Sequence, residues 1–390
     1  MPGNRTLEDI GNALRGRVRC PICDHSSITQ LKTPLARSMR SDGLVFQEPL
    51  RKVHCSGCGV LIGKNSTSTS AYQRSSGNSS FEIRRHQRIA TGLSSLIRQL
   101  TGKIDLNVLE VGAGNFETAL GLKKLNPRYK LTALEPNPES TPSSGRIEVS
   151  VEDFRNWEPR DKYDVCYSWH VIEHFDDAKR FIKLMKRVTK DDGFIVICCP
   201  DSNRATSELL FADHNYHFTA EAMSICAIKA GLEVVSHTVC AWEPTTKCYV
   251  LSKRLDSNLD TFPVVEEDYD DLKQERTRLY EKWGGEDLRI CEALGGVEKV
   301  SLYGAGEFAQ LLRAYLPHVW MKVQKLVVDD LTGVRTFDRP VLKFDEVKFD
   351  GRDNFLVAAH GESRSSMRTR LLDRGIPEQS IHVPFDYHSR

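Results

Sequence analysis

Four cysteines near the amino terminus stand in two Cys-x-x-Cys pairs. Cys20 and Cys23 form the first pair, and Cys55 and Cys58 form the second. Each pair can offer two thiolates from one tight turn to a tetrahedral ion, which is typical of zinc sites. Because sulfur fills all four positions, we expect a structural rather than a catalytic zinc. His54 is an alternative ligand or a solvated neighbour, and free or disulfide-paired cysteines are the other interpretation.

A glycine turn offers a second kind of chemistry. The apolar run NVLEV precedes Gly112-Ala113-Gly114, and an amphipathic segment follows. Glycine lets the backbone turn sharply and approach a ligand that a Cβ would exclude, while the start of a helix adds N–H donors. A dinucleotide fingerprint needs glycine or alanine where this turn has Glu117, so the pattern argues against NAD here.

Acidic residues follow the next two predicted strands. Glu135 ends the run KLTAL, where a carboxylate can accept both hydroxyls of a ribose. Glu152 and Asp153 follow a short strand, in a position suited to the edge of an adenine. The runs YDVCYSW and GFIVICCP continue the series as a fourth and a fifth strand.

This order of landmarks resembles the class I S-adenosylmethionine-dependent methyltransferases. The resemblance implies a Rossmann-like α/β domain that binds S-adenosylmethionine. It also implies a set of cofactor-binding residues, in which the loop after the fourth strand lies near the methionine part: Glu110, Gly112, Gly114, Glu135, Glu152, Asp153, Ser168 and His170.

A methyltransferase must align its acceptor with the electrophilic methyl group and remove a proton. Asp213 can hold the ring of His214 in one tautomer and raise its basicity, which makes His214 the candidate base. His170 and His174 are further candidates, and Tyr72 is a candidate lid contact. A purely structural alternative has His214 or its neighbours capping the next helix, for which Thr219 is the expected N-cap.

The cysteine pairs, the glycine turn and this histidine segment together resemble the zinc-containing nucleotide-sugar C-methyltransferases over nearly the whole chain. In that family a Tyr-x-Glu-His element removes a proton from carbon beside a ketone. Here the element reads Phe211-Ala212-Asp213-His214, and Phe211 lacks the hydroxyl. The segment is also similar to O-methyltransferases of glycans or natural products. The expected acceptor is therefore a small molecule, a nucleotide-linked keto sugar methylated at carbon, with O-methylation as the alternative.

A second glycine turn, Gly304 to Ala309, satisfies GxGxxA, and Asp329 and Asp330 follow where a ribose-binding acid would fall. Read alone, the turn predicts NAD. The resemblance implies instead that this unit helps to enclose the acceptor, and a purely architectural role is the third interpretation. His360 and Arg364 are candidate diphosphate contacts.

These patterns predict an α/β protein of five segments. We expect a four-cysteine module at 1–64, a linker and helix at 65–106, the methyltransferase domain at 107–252, a connecting helix with an exposed face at 253–295, and a second, smaller Rossmann-like α/β domain at 296–390. Cys166, Cys198, Cys199 and Cys226 lie in apolar runs and are expected to be buried packing residues.

The composition limits the classes of protein to which this sequence can belong. The 390 residues are 40% hydrophobic and 27% charged, with a net charge of +1. No apolar run reaches the ~20 residues that cross a bilayer, and no secretory signal is apparent, so we expect a cytoplasmic protein with reduced thiols and no membrane partner. Residues 1–64 carry ten Lys and Arg against five Asp and Glu. This modest excess is more typical of a solvated face, so a zinc protein that modifies or binds nucleic acid is the less favoured alternative, and the sequence leaves the oligomeric state open.

Overall fold

The computed structural model describes residues 19–65, 80–138, 142, 145–253, 269–332, 334, 336–349, 352–359 and 361–385. Tyr72 and His360 lie outside these ranges, as do residues 1–18 of the predicted cysteine module and most of the predicted linker.

The helices and strands alternate along most of the described chain. The strands are β1 (Ile28–Gln30), β2 (Ser38–Met39), β3 (Val45–Phe46), β4 (Lys52–Cys55), β5 (Leu61–Gly63), β6 (Asn107–Val111), β7 (Lys130–Leu134), β8 (Glu148–Ser150), β9 (Tyr163–Trp169), β10 (Thr189–Pro200), β11 (Tyr216–His217), β12 (Glu233–Cys240), β13 (Glu243–Ser252), β14 (Val300–Tyr303), β15 (Val323–Val328), β16 (Val341–Lys343), β17 (Phe355–Val357) and β18 (Ile381–His382). The α-helices are α1 (Ser80–Thr101), α2 (Glu117–Leu125), α3 (Ala178–Val188), α4 (Ala220–Lys229), α5 (Tyr269–Leu294), α6 (Glu307–Tyr315), α7 (Pro317–Lys322) and α8 (Gly361–Asp373).

Seven strands form the central sheet in the order β12-β13-β10-β9-β6-β7-β8. Neighbouring strands from β10 to β8 are parallel, and β13 runs antiparallel to both of its neighbours. Val108 packs with α1 and α2 on one face, whereas Leu109 packs with α3 and α4 on the other. Both faces of the sheet are therefore covered, which explains why its strands read as continuous apolar runs.

The chain crosses from one half of this sheet to the other between β6 and β9. After β6 it builds β7 and β8 on one side, and it then returns to place β9 and β10 on the other. In open parallel sheets, ligands bind at the carboxyl ends of the strands beside such a reversal. The glycine turn after β6 and the segment after β9 both lie at this point.

The cysteine-bearing sheet has the order β1-β4-β5-β11. Its last strand comes from residues far along the chain, because Tyr216 pairs with Ile62 and His217 with Leu61. The amino-terminal module is thus completed by the histidine segment that follows β10.

A five-stranded parallel sheet, in the order β16-β15-β14-β17-β18, occupies the carboxy-terminal part. Before it, α5 differs from the exposed connecting helix that the charge pattern predicts. Arg276 and Tyr280 are fully buried, and Trp283 is nearly so. They are buried because the cysteine module, the segment around Leu210 and the carboxy-terminal sheet surround one side of the helix. No helix in the described ranges is both long and apolar enough to span a membrane.

Candidate functional site

The first glycine turn is held by the strand beside it. The backbone N–H of Gly112 donates to the carbonyl oxygen of Leu134 at 2.8 Å, and that of Gly114 donates to Oε2 of Glu135 at 3.0 Å. Gly112 has φ 75°, and a Cβ there would lie 2.4 Å from Cγ2 of Val171. The turn therefore requires glycine both for its conformation and for its space.

The neighbouring strand ends bring further predicted cofactor residues to the same edge. Ser168 lies opposite Val111 across the β6–β9 pair, and its buried hydroxyl has no hydrogen-bond partner among the described residues. Glu110 is buried beside Tyr167, where burial and then the charge of Glu110 raise the pKa of the tyrosine. A polar ligand would fit at this switch point. The structure places there the glycine turn, the two buried carboxylates of Glu110 and Glu135, and the hydroxyl of Ser168.

Two residues with left-handed backbones flank the glycine turn, and the sequence patterns did not single out their conformation. Phe116 has φ 66° immediately before α2, and His170 has φ 53° immediately after β9. Non-glycine residues adopt this conformation at a cost, and such residues concentrate at functional sites. His170 stacks on Trp169, and its Nε2 lies 2.8 Å from Oγ1 of Thr246.

Glu152 and Asp153 lie just after β8, as the sequence predicts. Glu152 is exposed and accepts a hydrogen bond from the hydroxyl of Ser150 at 2.9 Å. Asp153 accepts from the backbone and the guanidinium of Arg155 at 2.8 and 3.0 Å. Their proposed contact with adenine stays a prediction.

The histidine segment differs in its pairing from the expectation. The carboxylate of Asp213 lies 3.4 Å from Nδ1 of His174 and accepts hydrogen bonds from the N–H and hydroxyl of Ser41, both at 2.8 Å. His214 instead has its Nδ1 3.8 Å from Oε2 of Glu208, without a hydrogen-bond partner in the described part of the chain. Among the described residues Asp213 thus contacts Ser41 of the cysteine module and His174 after β9 rather than the ring of His214, and its role beside His214 stays a prediction.

The two histidines lie side by side, yet their environments shift their pKa values in opposite directions. Their ring centroids are 4.8 Å apart. Burial alone would lower the pKa of His174, but the hydrogen bond and charge of Asp213 raise it to about 9. Burial and the adjacent charge of His174 lower the pKa of His214 well below its usual value. These opposite shifts favour the charged form of His174 and the neutral form of His214.

A third titratable group completes this cluster. Glu173 is buried, and neither of its carboxylate oxygens has a hydrogen-bond partner among the described residues. Burial raises its pKa to about 7. Perturbed groups of this kind, gathered at the carboxyl end of a parallel sheet, are typical of an active site. Thr219, as predicted, caps α4 by accepting from the N–H of Ala222 at 3.1 Å.

The four predicted metal ligands come together. Sγ of Cys20 lies 3.8 Å from Sγ of Cys58, and Sγ of Cys23 lies 3.5 Å from Sγ of Cys55. All four sulfur atoms lie within 4.8 Å of one another. A tetrahedral ion with bonds of about 2.3 Å needs sulfur atoms about 3.8 Å apart, so the donor set fits zinc.

His54 is neither a solvated neighbour nor a member of this sulfur cluster. It is fully buried, and its Nδ1 lies 2.9 Å from the guanidinium of Arg276. Cys166, Cys198, Cys199 and Cys226 are buried as expected. Cys198 also meets Cys240 and Cys248, a clustering that strand pairing produces and that the sequence did not indicate.

The second glycine turn faces the histidine cluster from the carboxy-terminal sheet. Burial raises the pKa of Glu208, and the next largest cause of this rise is the charge of Glu307, which lies in this turn. Asp329, the expected ribose ligand, already bonds to the hydroxyl of Tyr303 and pairs with Arg370. Arg364 donates to backbone carbonyls of Ala359 and Pro384. These contacts weaken the NAD interpretation of the turn.

The sequence of residues 81–237 matches the model of a family described as a methyltransferase domain. The matched residues make up less than half of the 390-residue chain, and this part of it is similar to a methyltransferase domain. The match covers the central sheet through most of β12 and includes the glycine turn and the histidine segment. None of the curated proteins matches this sequence.

Several solved structures are similar to part of this chain. The mitomycin 7-O-methyltransferase MmcR is 18% identical, with a TM-score of 0.37, and 45% of this chain covers 55% of that one. An S-adenosylmethionine-dependent methyltransferase from Clostridium acetobutylicum is 10% identical, with a TM-score of 0.34 and coverage of 43% and 91%. The glycopeptide N-methyltransferase MtfA is 15% identical, with a TM-score of 0.36 and coverage of 42% and 90%. The chain thus spans about half the length of the first of these proteins.

Proposed function

We propose that this enzyme methylates a small acceptor from which His214 removes a proton, and that the acceptor is a nucleotide-linked keto sugar methylated at the carbon beside its ketone. The observation that carries the proposal is the contact between the rings of His174 and His214, whose centroids are 4.8 Å apart and whose pKa values are shifted in opposite directions. A base must be unprotonated before it acts, and a neighbouring cation stabilises the negative charge that the acceptor develops.

S-adenosylmethionine supplies an electrophilic methyl group and leaves as a neutral thioether. In the proposed site, backbone atoms of Gly112 and Gly114 approach the cofactor, and Glu135 binds the ribose hydroxyls. Glu110, Ser168 and His170 contribute polar groups at the same strand ends, and Glu152 and Asp153 are proposed for the adenine. Water must be excluded from the methyl group, which the burial of the surrounding strand ends favours.

The proposed proton transfer runs from acceptor carbon to the ring of His214. The electron pair left on carbon is delocalised onto the ketone oxygen and then forms the new bond to the methyl group. His174, held as a cation by Asp213, stabilises that oxygen. The second glycine turn would then enclose the nucleotide end of the acceptor, because Ala305 and Phe308 pack in the same apolar cluster as Phe211, which lies beside His214.

One observation favours O-methylation as a second candidate. Phe211 is 1% exposed and apolar, and its ring lies 5.1 Å from that of His214. It offers no hydroxyl to a ketone or enolate. A neutral His214 can equally accept the proton of a hydroxyl group as the oxygen attacks the methyl group.

We propose a structural zinc ion at Cys20, Cys23, Cys55 and Cys58. Four thiolates leave no open coordination position, so the ion would stabilise the module rather than take part in methyl transfer.

Deuterium exchange separates the two acceptor chemistries. A nucleotide-linked keto sugar is incubated in D2O with the enzyme and S-adenosylhomocysteine, which cannot donate a methyl group. If His214 acts on carbon, deuterium enters beside the ketone, and His214→Gln abolishes this exchange without changing the affinity for S-adenosylhomocysteine. His382→Gln, on the remote strand β18, is the matched control. Absence of exchange with several keto sugars, together with methylation of a hydroxyl, would establish the second candidate instead.

A further inference from the structure

A buried lysine of the cysteine module reaches the histidine segment. Lys52 lies on β4, three residues before Cys55, and its side chain is fully buried. Its Nζ donates to the carbonyl oxygens of Phe211 at 2.7 Å and of His214 at 3.2 Å, and it lies 2.9 Å from Nε2 of His217. One ammonium group therefore spans both ends of the segment that carries His214.

The same segment is tied to the module at other points. The N–H of Ala212 donates to the carbonyl oxygen of Met39 at 2.7 Å, and the N–H of Gly63 donates to that of Asn215 at 3.0 Å. Residues 211–217, which we call the histidine loop, thus have the module along one side. On the other side the N–H of Asn215 donates to the carbonyl oxygen of Glu173 at 2.7 Å.

A lysine in this position is costly for the fold. No carboxylate is within hydrogen-bond distance of Nζ in the described contacts, and burial lowers the pKa of Lys52 to about 7 despite the charge of Asp213. A buried ammonium bound to carbonyl dipoles is harder to accommodate than an apolar side chain of similar volume. What the lysine provides is three directed contacts to one loop, which an apolar side chain cannot make.

We propose that Lys52 is a positioning residue: it holds the histidine loop so that the ring of His214 faces the acceptor, and it thereby makes the cysteine module a part of the active site. The inference rests on the proposed role of His214. The printed contacts of Lys52 are all to the histidine loop, so we argue that it acts through His214 and do not call it a catalytic residue.

We call the three contacts of Lys52 with the histidine loop the lysine clamp. Lys52→Met tests this clamp in the whole chain without an acceptor. Methionine keeps the volume and removes the charge and the hydrogen bonds. Hydrogen exchange of the amides of Ala212 and Asn215 should become about tenfold faster or more, because the loop loses contacts to a charged donor. The ring signals of His214 and His217 in NMR spectra should shift, and the affinity for S-adenosylhomocysteine should not change.

Lys186→Met is the matched control. Lys186 on α3 donates to the carbonyl oxygens of Ala230 and Gly231 at 2.9 and 2.8 Å, so it makes the same kind of contact away from the histidine loop. Its substitution should leave the loop exchange and the histidine signals as in the wild type. Unchanged exchange and unchanged ring signals in a folded Lys52→Met protein would overturn the proposal.

A second variant displaces the loop without touching the lysine. A Cβ on Gly63 would lie 2.6 Å from the carbonyl oxygen of His214, so Gly63→Ala must push the loop away from β5. Gly285→Ala on α5, where a Cβ meets nothing within 4 Å, is its control. Gly63→Ala should reproduce the faster exchange of the loop even if Lys52→Met does not fold.

Turnover then links the clamp to catalysis. With an acceptor that the wild-type enzyme methylates, Lys52→Met should lower kcat by about 100-fold while the KM for S-adenosylmethionine stays constant, because misplacement of a base by about 1 Å has an effect of that size. A loosened loop with unchanged kcat would overturn the positioning role. The exchange measurements need no acceptor, so they decide on the clamp even if the proposed acceptor class is wrong.

Discussion

At the scale of single residues, the electrostatics of the site depend on which histidine the carboxylate of Asp213 contacts. The contact from Ser41 to Asp213 joins residues 172 positions apart in sequence, and it turns the carboxylate toward His174. The chain order Asp213-His214 indicates a pair, but Asp213 lies in a turn, and the two adjacent side chains meet different partners. The residue types of the site could be predicted from sequence, whereas their partners could not, because tertiary contacts decide them.

Asp213→Asn should lower the pKa of His174 from about 9 to its ordinary range or below. A folded-state pKa raised above the unfolded value of 6.5 contributes stability that is complete below pH 6.5 and is lost as the pH rises through about 9. The unfolding midpoints of wild type and variant should therefore differ most near pH 6.5 and converge toward pH 9. NMR titration of His174 and thermal unfolding at several pH values measure both effects. The exposed Asp161→Asn is the control, and parallel stability curves would contradict the assignment.

Gly112→Ala should abolish most cofactor binding. The added Cβ would lie 2.4 Å from Val171 in a backbone with φ 75°, so either the turn or the segment after β9 must move. We expect the affinity for S-adenosylhomocysteine to fall about tenfold or more by calorimetry. Gly102→Ala shares a positive φ of 63° but meets nothing within 4 Å, and it should bind the cofactor normally. Wild-type affinity in Gly112→Ala would exclude the turn as the cofactor cradle.

At the scale of elements, the strands of the central sheet could be predicted because apolar runs bounded by turns mark buried parallel strands. Two elements could not. β11 is two residues long and exists only through its pairing with β5. The buried side of α5 carries Arg276 among its apolar residues, and a charged residue at such a position indicates solvent in any sequence pattern.

Arg276→Met should destabilise the protein through this helix. The guanidinium donates to the carbonyl oxygens of Gly59 at 2.7 Å and Ser202 at 2.8 Å, and it connects α5, the cysteine module and the segment after β10. Removing the donor leaves buried carbonyls without partners, at a cost of about 1–3 kcal/mol. Arg278→Met, at an exposed position of the same helix, should change the free energy of unfolding by less than about 0.5 kcal/mol. Denaturant unfolding measures the free energy of unfolding of both variants. Equal effects would contradict the proposed role of the Arg276 hydrogen bonds.

At the scale of the whole molecule, one apolar core connects parts that the sequence divides into separate segments. Leu35 and Leu50 of the cysteine module pack in the same cluster as Leu210, Trp283 and Leu302. The module also shares a sheet with β11. Boundaries drawn at changes of composition locate linkers, but they do not reveal which segments later share a core. We therefore expect a change that loosens the cysteine module, such as loss of a metal ion, to loosen the histidine loop as well.

Metal removal tests this unity. We expect about one zinc ion per chain by elemental analysis, and its removal by a chelator should lower Tm by about 10 °C or more, because metal binding at four thiolates contributes directly to folding. The histidine loop should exchange faster in the same sample, since Lys52 and β5 lose their support when the module loosens. Cys20→Ser should reproduce both effects, whereas Cys291→Ser, a partly buried cysteine on α5, should retain zinc and wild-type exchange. A protein with four reduced thiols, no zinc and an unchanged Tm would show that sulfur packing alone holds the module.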